Sequence, residues 1–188
     1  MERPATRLDS FVTDFVKVLD ACNVKYALVS GYVAILFGRS RNSEDIDIII
    51  KKLDYARWQE LYNVATESFE LITAADAKDA FENYLSCETA IRLARKGSII
   101  PNIELKFPKT RIENWVVDKP VKAELNGNRL AISPLELQIA YKLFLGSDKD
   151  FEDARHLWLV CKDNLDKQTL NGFIAEMKVA KTAARWLA

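Results

Sequence analysis

Asp45 and Asp47 stand two residues apart in the run Asp-Ile-Asp-Ile-Ile-Ile. Read as a β-strand, that run sends both carboxylates to one face. Carboxylate oxygens suit hard divalent cations, and a pair of such ions can bracket a phosphoryl group in transfer. The same stretch, VSGYVAILFGRSRNSEDIDIII at residues 29–50, holds a second feature of interest. Ser30-Gly31 breaks a short apolar strand just before a short helix. Backbone N–H groups at a helix start suit phosphate. Cation ligands on one side and amides on the other would hold a nucleoside triphosphate. A bare Asp-x-Asp is common on strand surfaces, so the meaning lies in this context.

The elements that must position these groups follow from periodicity. Apolar residues at 8, 11, 12, 15, 16, 18, 19 and 22 predict a helix over 8–22. A short strand is expected over 26–29, a helix over 32–37 ending near Gly38, a polar, basic loop over 39–44 and a strand over 45–50. Residues 55–69 and 74–81 read as helices, with a short strand over 70–72. Residues 89–94 fit either a strand or a helix end. Residues 101–107 alternate Ile103, Leu105 and Phe107 against Asn102, Glu104 and Lys106, a strand that Pro108 ends. Residues 116–124 read as irregular or briefly extended. Asn126-Gly127 predicts a hairpin joining 123–125 to 129–132. Ser133, Pro134 and Glu136 look like a cap, a first-turn proline and a capping-box carboxylate, opening a helix that stops at Gly146. Helices over 151–160 and 169–186 complete a division into an α/β core, 1–132, and a C-terminal helical segment, 133–188.

Composition narrows the classes. The chain has 188 residues, 27 Lys plus Arg and 27 Asp plus Glu, hence no net charge and no bulk electrostatic case for nucleic acid. No apolar run is long enough to cross a bilayer, and the first ten residues are polar, which favours a cytoplasmic protein. Cys22, Cys87 and Cys161 lack metal-ligand spacing and read as buried small hydrophobes. His156 is the single histidine and lies among Leu157, Leu159 and Val160, a structural helix position; a histidine-rich zinc site is excluded by count. There is no Gly-x-x-x-x-Gly-Lys-Ser/Thr, and Ser30-Gly31 with Gly38 does not give dinucleotide-binding spacing. Trp58, Tyr62, Trp115, Trp158 and Trp186 read as core aromatics.

Residues 29–50 resemble the signature of the DNA polymerase beta-like nucleotidyltransferase superfamily: a small-residue turn, a helix, then Asp-x-Asp on the next strand. They look most like the branch that includes the abortive-infection toxin nucleotidyltransferases, through Ser30-Gly31-Tyr32, Gly38, Arg41, Ser43 and Asp45-Ile46-Asp47. The resemblance extends to the tail, through Ser133-Pro134-Leu135-Glu136-Leu137, Lys142, Lys149-Asp150 and Asp153. It implies an α/β (α+β) nucleotidyltransferase fold, a small mixed sheet flanked by helices with a C-terminal helical segment. It implies transfer of a nucleoside monophosphate from a nucleoside triphosphate, ATP among them, to a hydroxyl or phosphate. The acceptor could be a tRNA end, a protein side chain or a small molecule. Asp45, Asp47 and Glu104, as catalytic residues and metal ligands, would hold Mg²⁺ or Mn²⁺. Ser30, Gly31, Tyr32, Arg41, Ser43 and Lys142 would contact the nucleotide, with Asp150 orienting Lys142 and Asp153 in a structural role.

Two departures stand out. Ser30 replaces the usual glycine, which restricts the backbone if a positive φ is needed there. Glu104 stands where relatives commonly use Asp. Both support an alternative: a catalytically weak or inactive nucleotide-binding module acting as a sensor, an antitoxin or a protein partner. An antitoxin or a second copy of the chain is an open partner on either reading.

Overall fold

The computed structural model describes residues 4–187; Met1, Glu2 and Arg3 of the polar N-terminal stretch lie outside it, as does Ala188. In chain order the elements are α1 (Arg7–Ala21), β1 (Tyr26–Leu28), α2 (Gly31–Leu36), β2 (Asp45–Ile50), α3 (Tyr55–Ala65), β3 (Phe69–Leu71) and α4 (Ala77–Asp79). Then come β4 (Ile91–Arg95), β5 (Asn102–Lys106), α5 (Arg111–Asp118), β6 (Val121–Leu125), β7 (Asn128–Ile132), α6 (Leu135–Leu145), α7 (Asp148–Cys161), α8 (Lys167–Glu176) and α9 (Ala180–Trp186). The strands form one mixed seven-stranded sheet in the order β3-β4-β5-β2-β1-β7-β6. This is the α/β architecture, with a mixed sheet and helices, that the sequence implied.

Contacts divide the chain into two units. The first comprises the residues through Val29 together with Ser43–Ile132, and so holds the whole sheet. Its core starts from α1, whose capping box at Thr6 and Asp9 opens a helix burying Phe11, Val12, Phe15, Val16 and Leu19. Phe11 and Phe15 meet Phe69 of β3 edge-to-face, at 5.8 and 5.1 Å between centroids. Trp58 of α3 is 1 % exposed and donates its indole N–H to the Ala77 carbonyl at 2.7 Å. The second unit comprises Ser30–Asn42 and the residues from Ser133 onward. Its core gathers Ala34 of α2 with Ile139, Ala140, Leu143, Ala154, Leu157 and the apolar side chains of α8 and α9.

Several local expectations change. Residues 111–118, read partly as irregular, form α5, opened by a capping box between Thr110 and Glu113. The helix expected over 74–81 is only a turn of α-helix, followed by a π-helical turn at Ala80–Tyr84 and a 3₁₀ turn at Leu85–Cys87. Residues 169–186 are not one helix: Lys178 takes φ 58° and separates α8 from α9. The cap at Ser133 does not form. α6 starts one residue later, with Pro134 at the N-cap; the Ser133 hydroxyl is buried without a hydrogen-bond partner, and Glu136 accepts the Asp166 N–H. Of the cysteines, Cys161 is buried, Cys22 half-buried and Cys87 exposed.

Candidate active site

The first unit positions the carboxylates through register. β2 and β5 run parallel, with Asp45 opposite Asn102 and Asp47 opposite Glu104. Paired positions share a face, so all four side chains leave the same side of the sheet. The alternate residues Ile46, Ile48, Ile103 and Leu105 are at most 1 % exposed and belong to the core. A one-residue slip would bury the acids and expose the isoleucines, so hydrophobic burial fixes which face carries charge. The start of β2 is pinned from both sides. Val29 N–H donates to the Asp47 carbonyl at 3.0 Å, and Asn102 N–H to the Glu44 carbonyl at 2.8 Å. Ser43 donates its hydroxyl to the Asp45 carbonyl at 3.0 Å, which shapes the approach of the strand.

β4, antiparallel to β5, sets Arg92 opposite Glu104. Arg92 Nε donates to Glu104 Oε1 at 2.8 Å, and Nη2 bonds the same oxygen. The bonded Glu104 carboxylate, its charge, and more weakly the charges of Asp45 and Asp47 push the guanidinium further above its ordinary range. Asn102 is 6 % exposed, and its Nδ2 donates to the Glu44 carbonyl at 3.4 Å, while its Oδ1 is buried without a hydrogen-bond partner. Sequence periodicity put Asn102 on the Glu104 side without giving it a role and did not point to Arg92; the signal lay in strand pairing, which a single sequence does not display.

Asp45 and Asp47 on one face, with an orphaned amide oxygen opposite Asp45, make an oxygen-donor set of the kind hard cations prefer. Glu104 adjoins Asp47 but is engaged by Arg92. Among the described residues, no group of three or more His, Cys, Asp and Glu side chains is arranged to hold a metal ion.

In the second unit, Ser30 is the N-cap residue of α2, with φ 62° and ψ −133°, and its side chain makes no capping hydrogen bond. The positive φ that would favour glycine is therefore present. α2 has six residues, under two turns, which limits the amides it can align. Gly31 is buried and Tyr32 is fully buried, so the Tyr32 ring offers no exposed stacking face.

Arg41 Nη1 meets Asp153 Oδ2 at 2.6 Å, and Arg39 Nε lies 3.5 Å from Asp153 Oδ1; Arg39 also pairs with Glu152. Lys142 is 2 % exposed, and its ammonium meets Asp150 Oδ1 at 2.7 Å and Asp153 Oδ2 at 3.0 Å. The structure places Lys142 with these two aspartates and not at an open surface. Asp150 and Asp153, three residues apart on α7, thus collect a lysine from α6 and two arginines from the loop after α2. Burial pushes the Asp150 carboxyl up, but hydrogen bonds from Lys142 and Ser147 outweigh it and hold the carboxyl below its ordinary range. His156 Nε2 lies 2.9 Å from the Phe37 carbonyl, a further tie between α7 and the end of α2.

No family model matches the sequence, and no curated protein does either. Solved structures do. An antigenic nucleotidyltransferase-like protein from Paracoccidioides brasiliensis is 19 % identical, aligns over 95 % of this chain and 90 % of its own, and gives a TM-score of 0.56. ANT(2")-Ia in complex with adenylyl-2"-tobramycin is 12 % identical, covers 92 % of this chain and 98 % of its own, and gives 0.57. The solution structure of the antibiotic-resistance factor ANT(2'')-Ia, also 12 % identical, covers 94 % of each chain and gives 0.54. At these identities the likeness is one of architecture, and by architecture this chain has the nucleotidyltransferase fold.

Proposed function

We propose that this protein is a metal-dependent nucleotidyltransferase that moves a nucleoside monophosphate from a nucleoside triphosphate to an acceptor hydroxyl or phosphate. One observation carries this: in a nucleotidyltransferase fold, the β2–β5 register puts Asp47 beside Glu104 on the face that carries Asp45. Asp45 and Asp47 would hold Mg²⁺ or Mn²⁺, with Glu104 as the third carboxylate once Arg92 leaves it. A bound divalent ion supplies charge neutralisation at the triphosphate. An acceptor oxygen forms the new bond to the α-phosphorus as the bond to pyrophosphate breaks, and a nearby carboxylate takes the proton of a hydroxyl acceptor. Ser43 shapes the approach to Asp45. Ser30, Gly31 and Arg41 are assigned to the nucleotide, with Arg41 held by Asp153, and the fully buried Tyr32 is assigned a packing role beside the turn. Lys142 is assigned a positioning role through Asp150 and Asp153.

The acceptor belongs to the same proposal. The structure of ANT(2")-Ia with adenylyl-2"-tobramycin makes a small-molecule hydroxyl the first candidate, ahead of a protein side chain or a tRNA end. The balanced charge of the chain agrees with that order. Membership of the abortive-infection toxin branch, with an antitoxin partner, rests on Ser30-Gly31-Tyr32, Asp45-Ile46-Asp47 and the Lys149-Asp150-x-x-Asp153 pattern. Among the described residues, no helix is long and apolar enough to cross a membrane.

Incorporation of label tests the proposal. Each radiolabelled triphosphate, with Mg²⁺ or Mn²⁺, is offered with total RNA, cell protein or a small-molecule extract. Wild type is expected to label one fraction, and the D45N/D47N variant none. The pairing of Arg92 with Glu104 favours a second reading, a nucleotide-binding module with little turnover; metal-dependent nucleotide retention without transfer would establish it in place of the first.

A further inference from the structure

Glu104 stands opposite Asp47 in register, on the face that carries Asp45, and Arg92 is the group that holds it. The pair is partly exposed, the side chains being 49 % open for Arg92 and 22 % for Glu104. Exposed ion pairs contribute roughly 0–1 kcal/mol, so such a contact yields readily to a stronger competitor. A divalent cation bound by carboxylates is such a competitor. Three acidic side chains on one face of two neighbouring strands also repel one another unless a positive charge lies among them. Arg92 projects from β4 on that face, directly opposite Glu104 in register, and feels the charges of Asp45 and Asp47 as well. The Asn102 amide oxygen lies on the same face, more than nine-tenths buried and without a hydrogen-bond partner. That is an oxygen donor left unused by the protein itself, opposite Asp45.

We propose that Arg92 is the built-in counter-ion of the acidic cluster: it occupies Glu104 in the metal-free protein and gives Glu104 up when a divalent cation binds with Asp45 and Asp47. This role rests on the transferase reading above and adds a determinant of metal affinity to it. Arg92 is then a positioning residue, acting through Glu104. The exchange has a thermodynamic signature. Removing Arg92 leaves Glu104 without its counter-charge, so the metal-free protein loses stability and the metal-bound form gains relative to it.

Mn²⁺ alone is the probe. Its binding is followed by the loss of the free-ion electron paramagnetic resonance signal, alongside thermal unfolding with and without Mn²⁺. Arg92→Ala is expected to bind Mn²⁺ about threefold more tightly than wild type, the scale set by releasing Glu104 from an exposed ion pair. The gain should vanish in R92A/E104Q, and Mn²⁺ should raise the melting temperature of R92A more than that of wild type. If R92A does not fold, Arg92→Gln, which removes the charge and keeps a hydrogen-bond donor, serves in its place. Mn²⁺ binding by wild type that R92A leaves equal or weaker overturns the counter-ion role and leaves the two-aspartate metal site standing. A tightening that survives in R92A/E104Q overturns it too. Binding that D45N/D47N retains in full, or none by any variant, removes the metal reading itself and this role with it.

Discussion

Ser30 holds φ 62° and ψ −133°, a region closed to residues with a Cβ except under constraint. Such strain costs on the order of 1–3 kcal/mol. S30G should therefore raise stability by about 1 kcal/mol, seen as a higher denaturation midpoint at unchanged slope. An unmoved or lower midpoint would show that the backbone is content with serine. A rise in stability coupled to a loss of nucleotide binding would mean that the hydroxyl is worth its strain. The difference between Ser30 and Glu104 is instructive. The alternation of Ile103 and Leu105 with Glu104 was enough to face the carboxylate correctly, because the core claims the isoleucine and leucine side. Its engagement by Arg92 was not legible. That contact depends on β4, a segment whose periodicity left strand and helix end equally open, and on a register that only pairing reveals.

The strands were the easiest elements to read, since β2 and β5 alternate and β6–β7 turn at Asn126-Gly127. α5 was missed because it has only eight residues, although the Thr-x-x-Glu of its capping box stands in the sequence. The break between α8 and α9 has no glycine or proline to mark it; a lysine takes the positive φ. On α7, the spacing of Asp150 and Asp153 was visible, but not that they would draw Lys142 and two arginines into a largely buried network. That network makes acid sensitivity a property of the α6–α7 pair. The Asp150 carboxyl is held below its ordinary value, so its stabilising contribution is full above about pH 4, the ordinary carboxylate range. It is lost as pH falls from there through the depressed folded value. D150N should be less stable than wild type at neutral pH and should show a shallower loss of stability below about pH 4. Equal acid slopes in urea titrations of the two proteins would place the acid-sensitive step elsewhere.

The whole molecule is built from two units that do not follow chain order. Ser30–Asn42 lie between β1 and β2 in sequence, yet belong with the residues after Ile132. Ala34 packs in one cluster with Ile139, Ala140, Leu143, Ala154 and Leu157, and Phe37 lies against it. Native-state hydrogen exchange should show this directly. Amides of α2 should open with the free energy of α6 and α7, and not with that of β1 and β2, their neighbours in sequence. Exchange of α2 in step with β1 and β2 would contradict the division. The change to helical periodicity led the sequence reading to divide the chain at 132/133. The recruitment of residues 30–42 was not legible, because α2 is too short for its apolar pattern to name a partner.

That discontinuity also has a meaning in time. A ribosome adds about 5–20 residues per second, so the last strand, β7, is synthesised about one to six seconds before α7 is complete, and β1 and β2 earlier still. During those seconds, α2 is an apolar segment without its packing partners, tethered between strands that already have theirs. A nascent-chain chaperone that binds short apolar stretches would find its target there, and synthesis of α6 and α7 would be the event that releases it.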